Sequence, residues 1–376
     1  MSEKIRRIVD IFVPVTACNL KCSYCYVRQL EANTGKLPDF QYSPEHVGKA
    51  LSKKRLGGRA FVNICGFGET LLPPDIVAYV RVLLEEGHVV HIVSNMTLNN
   101  RIDKILEFPP SLLKNLLFGP SLHYLELKRI GKLDDFFGTL RRIRKAGCSL
   151  TRPGIVLHDD YIPIIEEIKA VCMERLGTLP EVSIARDQTD ESCTRMQSEY
   201  SAEKLEQIAE SFECPTYELR KKLLGIRRTE FCYSGDWSFC LNLGTGEMTK
   251  CLYGTSNQNI FKDISRPIHF EATGSNCKAP WCMCGMIYLA WGTIPEFECP
   301  PFSLMCLGRE GGNVLSEEMK ELLSHKLREM NHEYNLLKKW LINCESQFLS
   351  RTRQMLPTWL KKTVKSIIPI FGTDKP

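Results

Sequence analysis

No apolar stretch in these 376 residues approaches the ~18–20 consecutive positions that a membrane-spanning helix needs. An export signal is missing as well. The opening MSEKIRRIVDIFVPVT has only a short apolar run, broken by Asp10 and Pro14, and no small-residue cleavage site. Neither sign of charge is in excess: 49 Lys and Arg stand against 44 Asp and Glu, and the first 300 residues hold no basic stripe. Nucleic acid is therefore not an expected partner. Without export the expected location is the cytoplasm, where disulfide frameworks are rare. The 17 cysteines then read as metal ligands or buried thiols.

β-Branched runs alternate with amphipathic helical stretches along the first half of the chain. The expected strands are 7–15, 59–65, 88–94, 116–124, 149–157 and 181–185, with helices over 44–55, 75–86, 134–146 and 161–176. Six β-α alternations predict a parallel sheet, open or curled into a barrel, with its chemistry at the carboxyl ends of the strands.

Four short segments fall at that end. ACNLKCSYCYV (17–27) follows the first strand and spaces Cys18, Cys22 and Cys25 by three residues and then two. Such positions share one face of a helix, but Asn19 and the preceding 14–16 read as loop, so gathered thiolates for zinc or an iron–sulfur cluster are the stronger reading. CGFGET (65–70) follows the second strand: Gly66 and Gly68 permit close backbone approach, and Glu69 offers a carboxylate. SNMT (94–97) brings Ser94 and Asn95, and SLHYLE (121–126) brings Ser121, His123 and Tyr124. Singly each is a turn or a helix cap. On one rim beside a three-thiol loop they form a site.

The Cys-x3-Cys-x2-Cys spacing, with Tyr24 before the last cysteine, and the GFGE segment resemble the signatures of the radical S-adenosylmethionine (radical SAM) superfamily. The resemblance covers roughly residues 5–190. It implies an α/β fold: a partial (β/α)6 barrel, followed here by a small cysteine-rich β-hairpin domain and a helical C-terminal tail. It also implies that Cys18, Cys22 and Cys25 hold three irons of a [4Fe–4S] cluster whose fourth iron chelates S-adenosylmethionine. Glu69, supported by the backbone of Gly66 and Gly68, would take the methionyl amino group. Ser94, Asn95 and Ser121 would reach ribose or carboxylate, and the backbone around Tyr24 would meet adenine. A three-thiolate cluster keeps one iron open for Lewis-acid binding and electron transfer, while the protein supplies orientation.

Beyond residue 225 the texture changes. FCYSGDWSFCLNLGTGEMTKC (231–251) reads as two short strands around GTGE, with Cys232 and Cys251 at its ends, and NCKAPWCMC (276–284) adds Cys277, Cys282 and Cys284. This stretch resembles the first half of a SPASM/Twitch extension, which implies one auxiliary [4Fe–4S] cluster. Five cysteines compete for four irons, and spacing alone also permits a four-cysteine zinc ribbon. Cys240 alternates with apolar neighbours and reads as core. The expected organisation is a core barrel over 1–225, an auxiliary domain over 226–310 and a helical extension over 311–376. A helix is expected over 316–350. A second, over 356–368, sets Lys361, Lys362 and Lys365 opposite an apolar face, and reads as docked on protein or as peripheral contact with an anionic membrane.

The family implies reductive cleavage of S-adenosylmethionine and hydrogen abstraction by a 5′-deoxyadenosyl radical. The substrate is a peptide or a small polar, sugar-like molecule. The absence of a leader-recognising N-terminal domain weighs against the peptide, and an electron donor such as flavodoxin or ferredoxin is the implied partner. A non-catalytic iron–sulfur electron carrier or sensor is the competing class, and it would need no cradle of Glu69, Ser94 and Asn95. For a redox-neutral outcome, a thiol must return hydrogen. Cys193, in a polar stretch after the sixth strand, is expected to do so, since Cys65 ends an apolar strand and is expected to point into the sheet.

Overall fold

A strand buried on both faces needs apolar residues at odd and even positions alike, and RIVDIFV has them. Strand β1 (Arg7–Val13) sits in mid-sheet, with Ile8, Val9, Ile11 and Val13 sealed from solvent. The computed structural model describes residues 3–254, 256–275, 277–282, 286–307 and 314–344. Strands β2 (Ala60–Gly66), β3 (Val89–Ser94), β4 (Leu116–Pro120) and β5 (Ser149–Leu150) follow β1 in parallel on one side. Strands β6 (Gly154–Leu157) and β7 (Glu181–Ile184) pair with each other, and a bridge from Ser121 to Gly154 carries the arc from β4 to β6. The arc does not close, so the chain is an α/β protein with a partial barrel.

The expected hairpin forms from β8 (Ser238–Asn242) and β9 (Glu247–Thr249), with β10 (Ser256–Asn259) beyond it. It does not stand apart from the barrel: β8 pairs in parallel with β1, and the eight-stranded order is β10-β9-β8-β1-β2-β3-β4-β5.

Three expectations are corrected. The single run 149–157 is two strands in two sheets. Thr151 N makes the last bond to β4, at Phe118 O; then Arg152 N turns away to Cys306 O, and Pro153 lacks an N–H. The helix expected from 161 begins as a 3-10 turn, Asp159–Ile164, because Pro163 cannot serve an α-helical interior; regular helix runs over Ile165–Leu176. The long helix 316–350 is interrupted. Glu317–Ser324 is capped by the Ser316 hydroxyl, and helix resumes only at 336–344. Tertiary bonds claim the stretch between: the Leu327 amide donates to Trp291 O, Lys326 Nζ to the carbonyls of Ala290 and Cys299, and Asn331 Nδ2 to Arg6 O. The basic segment 356–368 lies outside the described residues.

Two buried histidines tie the sheet together and set an acid limit on it. His88 accepts from Ala60 N at Nδ1 (3.1 Å) and donates from Nε2 to Leu51 O (2.7 Å), which fixes a neutral tautomer. Burial lowers the pKa of His88 and of His91 to about 4. The unfolded chain therefore takes up these protons first, so stability is full above the unfolded value near 6.5 and falls as pH drops from there toward 4. The expected loss is on the order of 3 kcal/mol for His88 alone. Urea midpoints at pH 7.5 and pH 4.5 test this; equal midpoints would show that the imidazoles ionise inside the fold.

Candidate active site

The loop after β1 and the loop after β2 hold each other. Gly68 N donates to Val15 O (2.8 Å) and Glu69 N to Ala17 O (2.9 Å), so GFGE lies alongside the residues leading into Cys18. A Cβ on Gly68 would stand 1.9 Å from Ala17 O, and one on Gly66 2.6 Å from Val15 Cγ1. Glycine is required at both positions by this close approach.

Above them, at the carboxyl ends of the strands, opens a cavity of about 580 Å³. Cys18, Cys22, Cys25, Glu69, Asn95 and Ser121 line it, and so do Tyr24, Gly66, Gly68 and Ser94. The sequence-predicted cradle thus converges on one wall. Burial and then the neighbouring Cys18 push the Cys22 thiol up to about 12; burial also raises Cys18, while Leu20 N donates to its sulfur (3.4 Å). Two thiols this reluctant to ionise, Cys18 and Cys22, suit a site whose thiolates are neutralised by bound metal. Among the described residues no three His, Cys, Asp or Glu side chains converge closely enough for a single metal ion. A cuboidal cluster, with a separate iron beneath each sulfur, does not need that convergence. Three thiols on one cavity wall suit a cluster that takes one sulfur per iron.

Glu69 is almost sealed from solvent (3 % exposed) and fully supported. Its Oε1 accepts from Ser94 Oγ (2.7 Å) and Leu71 N (3.0 Å), and its Oε2 from Asn95 N (2.9 Å). Burial raises its pKa, and these bonds oppose the rise. Ser94 and the Asn95 amide therefore position the carboxylate. The Asn95 side chain donates to Asn19 Oδ1 (2.9 Å), beside Cys18. Among the described residues Asn95 N is the sole donor to Oε2, which leaves a lone pair for an incoming ammonium.

Sequence reading missed the floor beneath Tyr24. Its ring packs on His158 (centroids 4.2 Å apart) and against Tyr161, and its hydroxyl meets His123 Nδ1 (2.7 Å). Glu126 reaches back to the amide of Lys21 (2.8 Å), pinning the three-cysteine loop to the segment after β4. His123 and Glu126 belong to the motif SLHYLE, but nothing local signals that their partners lie a hundred residues upstream.

The two other thiols trade places. Cys65, expected to point into the sheet, lines the cavity; Cys193 is not among the lining residues, and its sulfur lies 3.9 Å from Gln188 Oε1. On β2 the period of two puts Phe61, Asn63 and Cys65 on the barrel's inner face, and an apolar strand buried on both faces does not announce which face is inner.

A second thiol group gathers near the hairpin. Burial pushes Cys232, Cys251 and Cys282 upward, Cys282 to about 12; Cys232 also feels Cys251 and Cys282, Cys282 also feels Cys251, and all three feel Cys277. Cys284 lies outside the described residues. The Cys240 sulfur lies 3.1 Å from the Tyr288 hydroxyl. Trp281, one residue before Cys282, lines the large cavity and donates to Ser192 O (2.7 Å). The cavity wall and the second thiol group thus share one stretch of backbone.

Among curated proteins none matches this sequence. Several solved structures are similar to this chain at low identity. SuiB of Streptococcus suis bound to S-adenosylmethionine is 16% identical over 69% of this chain, with a TM-score of 0.46, and 64% of the SuiB chain is covered. Native anSMEcpe with bound AdoMet is 13% identical over 68% of this chain and 79% of its own (TM-score 0.45). BtrN in complex with AdoMet and 2-DOIA is 13% identical over 88% of this chain and 92% of its own (TM-score 0.27). Residues 12–173, which include the three-cysteine loop, the GFGE turn and strands β2 to β6, match the Radical SAM superfamily, and the chain carries a radical SAM domain.

Proposed function

We propose that this chain cleaves S-adenosylmethionine reductively and uses the product to take a hydrogen atom from a peptide or small polar substrate. The carrying observation is that three thiols and one fully braced buried carboxylate share a single cavity wall. Cys18, Cys22 and Cys25 would hold a [4Fe–4S] cluster, Glu69 the methionyl ammonium, and the backbone around Tyr24 the adenine. When bound, the cluster supplies the electron for cleavage, and the 5′-deoxyadenosyl fragment supplies the hydrogen-abstracting centre. Four of Cys232, Cys251, Cys277, Cys282 and Cys284 would hold an auxiliary [4Fe–4S] cluster. An electron donor of the flavodoxin or ferredoxin type completes the system.

The thiol that returns hydrogen in a redox-neutral, epimerase-type outcome is better sought at Cys65, on the cavity wall, than at Cys193. In an oxidative outcome the auxiliary cluster takes the electron and neither thiol is needed. Anaerobic reconstitution with iron, sulfide and dithionite, followed by addition of S-adenosylmethionine, should yield 5′-deoxyadenosine. Protein loaded with about four irons at the first site that forms none would overturn the reading. The same assay on Cys65→Ala and Cys193→Ala, run with substrate, asks which variant loses product while still forming 5′-deoxyadenosine. Full product from both removes the thiol-donor role.

A further inference from the structure

Deeper in the barrel a second chamber of about 280 Å³ opens from the large cavity, sharing Val93, Ser121, Gly154 and Glu181 with it. Its walls are largely apolar, Phe302 and Met305 among them, but they include two buried polar side chains, each with one nitrogen unpaired. His91 Nε2 and Arg152 Nε are both sealed from solvent and, among the described residues, form no hydrogen bond. An unpaired buried polar group is costly and therefore calls for an explanation.

The state of His91 follows from its other nitrogen. Asn63 donates from Nδ2 to Asp10 Oδ1 (2.7 Å), so its Oδ1 is left to accept, and His91 Nδ1 lies 2.7 Å from it. Nδ1 thus carries the proton, and Nε2 is a bare acceptor. Tyr288 completes the chain by donating to Asp10 Oδ2 (2.7 Å). Space is kept beside Nε2 by Gly119, where a Cβ would come within 2.5 Å of it.

Arg152 is 2 % exposed, and among the described residues it forms no ion pair; its one side-chain bond runs from Nη2 to Cys214 Sγ (3.5 Å). A buried guanidinium beside an open chamber is a site for an anion of planar, carboxylate-like geometry. Glu181, on the wall common to the two spaces, adds an acceptor at the mouth.

We propose that this inner chamber anchors the substrate through a carboxylate held by Arg152 and a hydroxyl or ammonium donor held by His91 Nε2. The proposal rests on the catalytic reading above and narrows it: the substrate carries an acidic group, on a small molecule or on a side chain, next to a hydrogen-bond donor.

Calorimetry on the reconstituted protein with S-adenosylmethionine bound tests it, using hexanoate, its uncharged isostere hexanamide, the 2-, 3- and 4-hydroxyhexanoates, and an amidated tetrapeptide holding one glutamate. Hexanoate or the glutamate peptide should bind at least about tenfold more tightly than its amide counterpart, and one hydroxy acid should bind more tightly than hexanoate. Arg152→Gln should erase the preference for charge, with Arg152→Lys restoring part of it, and His91→Phe should erase the preference for the hydroxyl. The wild-type comparison of acid with amide decides the matter even where a variant does not fold. Equal affinity for acid and amide, or no binding by any probe, overturns the chamber assignment. Formation of 5′-deoxyadenosine in the same preparation is scored separately, so a failed chamber is distinguishable from a failed catalytic reading.

Discussion

Replacement of Cys18, Cys22 and Cys25 together by alanine is expected to remove about four of the roughly eight irons that anaerobically reconstituted protein should hold, four for each cluster. Formation of 5′-deoxyadenosine should be abolished. All three thiols lie on the wall of the large cavity. The second thiol group of Cys232, Cys251, Cys277 and Cys282 lies in another part of the chain and should keep its own metal. Iron per chain and the near-ultraviolet and visible spectrum measure the outcome. Wild-type iron near four, unchanged by the triple replacement, would refute two clusters. Stoichiometric zinc would favour a ribbon at the second group.

The second large effect is expected at Glu69. A buried carboxylate meeting an ammonium forms a charge-assisted hydrogen bond, and its loss costs about 1.5–3 kcal/mol. Glu69→Ala should therefore weaken S-adenosylmethionine binding by about ten- to a hundredfold, with cluster iron unchanged. Glu69→Gln separates charge from shape. Its single oxygen, placed at the Oε1 position, still accepts from Ser94 Oγ and Leu71 N, but the NH2 at the Oε2 position cannot accept from Asn95 N, so affinity should fall with cluster iron unchanged. Wild-type affinity in both variants would reduce GFGE to a turn that only supports the Cys18 loop.

What could be read from the sequence was what is local. The three-cysteine spacing, the two glycines that admit Ala17 and Val15, and the serine cap at Ser316 each act within a few residues or across one tight contact. The strands were legible because runs such as RIVDIFV have few other stable fates. Their inner faces were not, because in a strand buried on both sides the pattern carries no direction; the place of Cys65 on the cavity wall was hidden for that reason. The inner chamber was beyond reach as well. His91, Arg152 and Phe302 come from β3, from the crossing between two sheets and from the C-terminal third, and only the folded barrel makes them neighbours. The break at 325–335 was hidden for a related reason: the bonds that defeat the helix are made by Trp291 and Arg6.

The parallel pairing of β1 with β8 has a consequence for how the protein is made. Of the described strands β1 leaves the ribosome first and lies in mid-sheet, yet its partner on one side begins at Ser238. At about 5–20 residues per second, β1 waits on the order of 10–50 seconds with one edge unpaired. During that time the thiols of Cys18, Cys22 and Cys25 are already synthesised, and the sheet that will carry them is open at its flank. The nascent chain is therefore most vulnerable to edge-to-edge association in the interval before β8 arrives. A chain cut at residue 225 would keep that edge permanently, so the barrel segment expressed alone should aggregate where the longer chain does not.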